Sequence, residues 1–253
     1  MKKTVLTGYE IFDKDFGGLK SGEITLIGGR PGMGKTLIAL QIALNVARSG
    51  GRVIFFSAGI GPTELELRLI SMVTGIPFMK IRGWNLTDFE WDLFKKATIE
   101  IKNLPIQVIY ADNVRMMRHW CDKTEEPVDL IVFDYLQLIH KNIVETKDCT
   151  PDLTPVEYLR ELKRIAKKHK APMIVLTQLS RNLERRKDKH PRIKDIRVKN
   201  LPADAYDQAF LLYREAYYDI DAPRNKAEII GISEKKGIKK TREVLWNPEK
   251  GML

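Results

Sequence analysis

Short apolar runs rich in β-branched and aromatic residues recur along the chain, separated by longer stretches of mixed polarity. Residues 24–27, 52–57, 106–110, 130–133, 173–177 and 209–213 form such runs. Their length and composition predict strands buried on both sides of a mainly parallel sheet. Helical patterns lie between them, at 37–47, 62–73, 86–102, 114–123 and 155–169, the first of them apolar on most of its faces. Alternation of this kind predicts an α/β fold, a twisted sheet with helices on both faces. Residues 227–246 read as two strands joined at Lys235-Lys236-Gly237, a C-terminal hairpin antiparallel to the rest. The stretch 141–155 is polar and proline-bearing and reads as a loop with freedom to move. No internal repeat or low-complexity linker divides the chain, so one domain over 1–253 is expected.

Bulk composition sets limits. A chain of 253 residues, 43% hydrophobic and 30% charged, can bury a substantial core and has the balance of a soluble globular protein. It holds no run of 18 apolar residues that would span a membrane. The opening Met1-Lys2-Lys3-Thr4-Val5 lacks the apolar stretch of a signal peptide. Cys121 and Cys149 stand apart with no metal-binding spacing, which predicts free thiols and a cytoplasmic location.

Charge changes the picture more. The net charge is +10, and between Arg181 and Asn200 nine basic residues (Arg181, Arg185, Arg186, Lys187, Lys189, Arg192, Lys194, Arg197, Lys199) face three acids, Glu184, Asp188 and Asp195. A solvated basic face and a nucleic-acid backbone contact both fit this window. The second is favoured because the window directly follows a predicted strand, lacks glycine and is interrupted by Pro191.

Gly29-Arg30-Pro31-Gly32-Met33-Gly34-Lys35-Thr36 reads G-x-x-x-x-G-K-T between a predicted strand and a predicted helix, the setting a phosphate-binding loop needs. Glycines let successive N–H groups wrap a polyphosphate, and the helix N-terminus adds partial positive charge. Arg30, Pro31, Gly32, Met33, Gly34, Lys35 and Thr36 are therefore the candidate nucleotide-binding residues. Lys35 would reach the β- and γ-phosphates of ATP, and Thr36 would place its hydroxyl on Mg²⁺. The run 130–133 ends in Asp134, where strand ends of a parallel sheet meet ligands. Asp134 reads as the second Mg²⁺ residue, acting through water, or as a turn or cap residue. Gln178, ending the run 173–177, reads as a sensor of the γ-phosphate or as a polar strand cap. His119, His140, His169 and His190 share no ligand spacing, so no metal besides Mg²⁺ is expected. Trp84 and Trp91, seven apart, read as two turns of one helix face packed in the core.

Gly17-Gly18-Leu19 with Gly22, the glycine loop, Phe133-Asp134-Tyr135-Leu136-Gln137-Leu138, Gln178-Leu179-Ser180-Arg181-Asn182-Leu183-Glu184-Arg185-Arg186, Asp195-Ile196-Arg197 and Tyr213-Arg214 occur in that order. Together they make the chain resemble, over nearly its whole length, the C-terminal ATPase domain of the DnaB-type replicative helicases. The resemblance implies a RecA-like P-loop NTPase fold with ATP–Mg²⁺ bound between neighbouring subunits of a hexameric ring. It further implies single-stranded DNA in the central channel, gripped by the loops after Asp134 and Gln178, and other replication proteins as partners. Under it Lys35, Thr36, Asp134 and Gln178 take catalytic roles, and Arg181, Arg185, Arg186, Lys187, Lys189 and Arg197 face DNA. Arg214 would lie near the adenine, with a strand-end salt bridge as the alternative; Tyr217-Tyr218 is either a base-stacking pair or an ordinary surface pair.

The chain departs from this family in four places. The family's Ser-Leu-Glu-Met string, whose Glu activates the attacking water, is matched by Ser57-Ala58-Gly59-Ile60, which leaves Gly59 at that position. Glu64 and Glu66 fall on the next predicted helix. The family's trans-acting Lys and Arg are matched by Ser233 and Lys235, so Lys235 is the expected finger, without the planar fork of arginine. Loss of an arginine finger costs ~10³–10⁵ in rate. The string 201–207 differs from the family's ring-interface string, and no collar domain precedes the ATPase region. Three readings follow: a ring-forming DNA helicase motor; a paralogue that binds ATP with little or no turnover and acts as a regulator or ring subunit; and a RecA-like ATPase of the recombinase or clock-protein kind. The strings at 134–138 and 178–181 argue against the last.

Overall fold

The computed structural model describes residues 3–138 and 154–247. Cys149, His140 and nearly all of the polar stretch 141–155 lie outside the described residues. An antiparallel pair, β1 (Thr4–Val5) and β2 (Leu19–Lys20), precedes the main sheet. That sheet is built from β3 (Ile24–Gly29), β4 (Val53–Ser57), β5 (Ile106–Tyr110), β6 (Leu130–Asp134), β7 (Met173–Gln178), β8 (Gln208–Tyr213), β9 (Lys226–Ser233) and β10 (Ile238–Leu245). Its order is β10-β9-β8-β3-β7-β6-β4-β5. Neighbours from β8 to β5 run parallel, and β9 and β10 close that edge as the expected antiparallel hairpin. The helices are α1 (Lys35–Arg48), α2 (Pro62–Thr74), α3 (Phe78–Arg82), α4 (Asp88–Asn103), α5 (Val114–Lys123) and α6 (Pro155–Lys168).

Successive strand residues point to opposite faces, so each central strand feeds two cores. Phe55, Val132 and Leu176 pack with α1, α2 and α4, while Phe56, Phe133 and Val175 pack with α5 and α6. Helix starts follow local chemistry: Thr87 and Glu90 form a capping box on α4, and Thr154 and Glu157 form one on α6, with Pro155 in its first turn. Two expectations fail. Strand β5 is not buried on both sides, and Tyr110 is 47% exposed, because β5 has a neighbour on one edge only. Nor are Trp84 and Trp91 a core pair. Trp84 lies beyond α3 with φ +54° and is 56% exposed, stacked on Trp91 of α4 at 5.8 Å with Phe94 edge-on. The helix ends after Arg82 and a new one starts at the Thr87 cap, so the spacing of seven spans a turn between helices.

Candidate functional site

Strand β3 runs into the glycine loop, and the loop runs into α1. Gly32 at φ +77° and Gly34 at φ +93° hold backbone conformations that side chains resist, which is why glycine recurs there. The result buries Lys35, whose Nζ donates to the Arg30 carbonyl at 3.1 Å. Burial pushes the Lys35 ammonium down to about 8, helped by Arg30 and opposed by Asp134. Thr36 Oγ1 donates to Asp134 Oδ2 at 2.6 Å, across the fold from the end of β6. Burial raises the Asp134 carboxyl, with the Thr36 bond and the charges of Lys35 and Arg68 opposing. A hydroxyl and a buried carboxylate side by side are hard oxygen donors that suit Mg²⁺, which keeps its other positions for phosphate and water. Among the described residues no group of three His, Cys, Asp or Glu is arranged to hold a metal, and no helix is long and apolar enough to cross a membrane.

Gln178 stands between these two groups. Strand β7 lies between β3 and β6, and Gln178 pairs in register with Gly29. Its N–H donates to Gln137 Oε1 at 2.9 Å, while Gln137 Nε2 donates to Thr177 Oγ1 at 2.8 Å. The basic window is then stitched back onto the strand end: Ser180 N–H donates to the Asp195 carbonyl and Arg197 N–H to the Gln178 carbonyl. Arg181, Arg185, Lys187 and Arg197 are exposed, and Lys189 lies over the Tyr218 ring at 5.6 Å. With Lys194 and Lys199, Arg197 edges a cleft of about 720 Å³ that reaches Tyr135, Gln137 and Gln178.

Several expected residues point elsewhere. The Arg30 guanidinium turns away from the loop to Glu184 at 2.7 Å and the Leu179 carbonyl at 2.9 Å, leaving only its backbone to the phosphate site. Arg186 does not face solvent as a free cation: both terminal nitrogens grip the buried Asp195 carboxylate, at 3.0 and 2.8 Å. Lys235 pairs with Asp207 of its own chain at 2.6 Å, and Ser233 is buried, donating to the Asp207 carbonyl. Gly59 sits exposed between β4 and α2, and Glu64, on α2 as expected, pairs with Arg68 at 2.7 Å.

Arg214 does join the loop, donating to the Gly32 carbonyl at 3.2 Å. It lies 4.3 Å over the ring of Trp246, a residue outside the site expected from sequence. Trp246 is 6% exposed and presses on the loop so closely that a Cβ on Gly34 would stand 2.5 Å from its ring. Neither Trp246 Nε1 nor Arg214 Nε has a hydrogen-bond partner. The only sequence signal was a lone aromatic closing the hairpin.

Comparison with known proteins matches this geometry. Residues 4–252 match the DnaB-like helicase C terminal domain. The replicative DNA helicase DnaC of Bacillus subtilis is 32% identical over 91% of this chain, and the replicative DNA helicase DnaB of Geobacillus stearothermophilus is 31% identical over 91%. The chain spans about half the length of these relatives, 52% of each. A solved DnaB-like replicative helicase, studied for its interactions with primase, superposes with a TM-score of 0.87 at 27% identity over 99% of this chain and 61% of that one. A solved ATPase domain superposes equally well, TM-score 0.87 at 27% identity, over 98% of this chain and 90% of its own. The fold is thus RecA-like. A family match that leaves out three residues at one end and one at the other takes in the whole sheet and every group gathered at its edge, and the chain belongs to the DnaB-like helicase C-terminal domain family.

Proposed function

We propose that the chain is the ATPase domain of a replicative DNA helicase, binding ATP–Mg²⁺ at the glycine loop and single-stranded DNA along the basic segment. It works as one domain in a hexameric ring in the cytoplasm, alongside other replication proteins such as a primase. The observation that carries the reading is the Thr36–Asp134 bond at 2.6 Å beside the buried Lys35, one strand from Gln178 and its basic continuation. Lys35 holds the β- and γ-phosphates, and Thr36 and Asp134 hold the metal. Mg²⁺ supplies neutralisation of the charge that develops on the transferring phosphate. Gln178 senses the γ-phosphate, and Arg214, bonded to the Gly32 carbonyl and laid over Trp246, braces the loop near the adenine. Exposed Arg181, Arg185, Lys187 and Arg197, with Lys189, meet the DNA backbone in a sequence-independent, salt-sensitive contact.

Two observations keep a second reading, ATP binding with little turnover, beside the first: Gly59 has no side chain to orient water, and Lys235 is held in its own chain by Asp207. ATP turnover with and without single-stranded DNA, beside a nucleotide titration and a Lys35→Ala control, separates the two. DNA-stimulated turnover abolished by Lys35→Ala supports the motor. Tight binding without turnover overturns it for this chain and leaves the second reading.

A further inference from the structure

We propose that Arg30 mechanically ties the phosphate-binding loop to the basic segment, so that filling the phosphate site shifts that segment. The inference rests on the proposed function only for the identity of the anion that fills the loop. Arg30 is 7% exposed, and its two ends serve two different elements. Its carbonyl accepts the Lys35 ammonium at 3.1 Å, inside the loop. Its guanidinium donates to Glu184 at 2.7 Å and to the Leu179 carbonyl at 2.9 Å, outside the loop. A single residue therefore receives the group that phosphate will attract and holds the segment that leaves β7.

The direction of the effect follows from hydrogen-bond strength. An ammonium has three donors, and a phosphate oxygen offers it charge-assisted bonds stronger than a carbonyl does. Phosphate in the loop draws Lys35 off the Arg30 carbonyl. The Arg30 peptide, released from that bond, relaxes, and its buried guanidinium cannot move without carrying Glu184 and Leu179. The Arg30 side chain is 8% exposed and that of Glu184 36%, so it is the buried cation that loses most if left without its partner, and the two move together.

The segment it would move is a unit. Glu184 lies on the 3-10 turn Arg181–Arg185. Arg186 locks that turn to Asp195 through two bonds, and Ser180 N–H binds the Asp195 carbonyl. A shift at Glu184 thus carries Arg181, Arg185 and Arg197 as one body rather than as separate side chains. This route is distinct from Gln178, which reaches the same segment through the strand end.

Glu184 variants test the tie without touching the loop. Amide hydrogen exchange over residues 179–199 is measured with and without Mg–ATP, and a labelled oligo-dT is titrated with and without a non-hydrolysable ATP analogue. In the wild type, Mg–ATP is expected to change exchange over 179–199 and to change oligonucleotide affinity by about tenfold, within the ordinary range of coupling. In Glu184→Ala both effects are expected to fall to about half or less, the remainder passing through Gln178 and the Leu179 carbonyl, with the Kd for ATP held within about threefold, as a loss of coupling rather than of binding requires. Glu184→Gln keeps an acceptor without the charge and is expected to retain a reduced exchange response; it carries the test if the alanine variant does not fold. A wild type whose exchange over 179–199 ignores Mg–ATP, or a Glu184→Ala whose exchange response equals the wild type's, overturns the tie. A wild type that shows the exchange response but binds no oligonucleotide overturns the DNA reading and leaves the tie standing.

Discussion

Replacing Lys35 with methionine removes a buried ammonium while keeping an unbranched chain of similar length to fill its place. Burial has pushed that ammonium from 10.5 down to about 8, so the folded chain resists the charge it carries at neutral pH. At about 1.4 kcal/mol per pH unit, the gap withholds roughly 3 kcal/mol of folding stability. The lost bond to the Arg30 carbonyl returns about 1 kcal/mol of that. Lys35→Met without nucleotide is therefore expected to be about 2 kcal/mol more stable than the wild type at pH 7, or about 4–8 °C in melting temperature for a domain of this size.

The pH dependence distinguishes this account from a generic gain in packing. Between pH 8 and 10.5 the unfolded chain binds more protons at Lys35 than the folded chain does, so wild-type stability from this group rises with pH across that window. The methionine variant has nothing to gain there. Its advantage is expected to be full at pH 7 and nearly gone by about pH 10. Thermal melts of both proteins in matched buffers measure the gap, because titrations remote from Lys35 and its neighbour Asp134 cancel. Saturating Mg–ATP raises the wild type by about 2.7 kcal/mol at a hundredfold excess over Kd and leaves the variant unmoved, so the order of the two melts reverses. A Lys35→Met protein that melts at or below the wild type at pH 7, or whose advantage persists at pH 10, refutes the reasoning.

Gly34→Ala places a methyl group at φ +93° and 2.5 Å from the Trp246 ring. Melts are expected to show a loss of roughly 2 kcal/mol or more, of which Trp246→Ala in the same chain relieves the clash but not the backbone strain. Trp246→Phe shrinks the ring that packs on Gly34 and Arg214. Melts are expected to show a loss of roughly 1–2 kcal/mol from the space it leaves against the loop. Gly59→Glu supplies a carboxylate where none exists, and steady-state phosphate release is expected to rise by at least about tenfold with the Kd for ATP unchanged. No rise would show that position 59 does not limit turnover.

The strands were legible because a parallel sheet covered on both faces demands continuous apolar runs, and β3, β4, β6, β7 and β8 supply them. The loop, Asp134 and Gln178 were legible because each depends on a residue type at a strand end, a local property. What local pattern does not carry is the direction of a side chain among distant partners. Arg30 looked like part of the phosphate cradle, yet its guanidinium serves Glu184, 154 positions on. Arg186 counted toward a basic face until the fold brought Asp195 beneath it. Trp246 meets Gly34 only because β8, β9 and β10 alternate in direction, so that β10 ends at the same end of the sheet as β3. Trp84 misled in the opposite sense, since a spacing of seven means one helix face only where the helix is unbroken.

Among the described residues four charged side chains are buried: Arg30, Lys35, Asp134 and Asp195. All four gather where β3, β6 and β7 end, although burying charge is costly anywhere in the fold. They divide by what answers them. Arg30 and Asp195 have opposite charges at hand in Glu184 and Arg186, and those pairs fix the shape of the segment beyond β7. Lys35 and Asp134 have only a carbonyl and a hydroxyl as hydrogen-bond partners, and burial pushes each toward its neutral form. A polyphosphate with its metal adds negative charge beside Lys35 and positive charge beside Asp134, beyond what the two groups and Arg68 already lend each other. The cost of burying those two groups is thereby offset when nucleotide binds, and the paired charges alongside are placed to register the change.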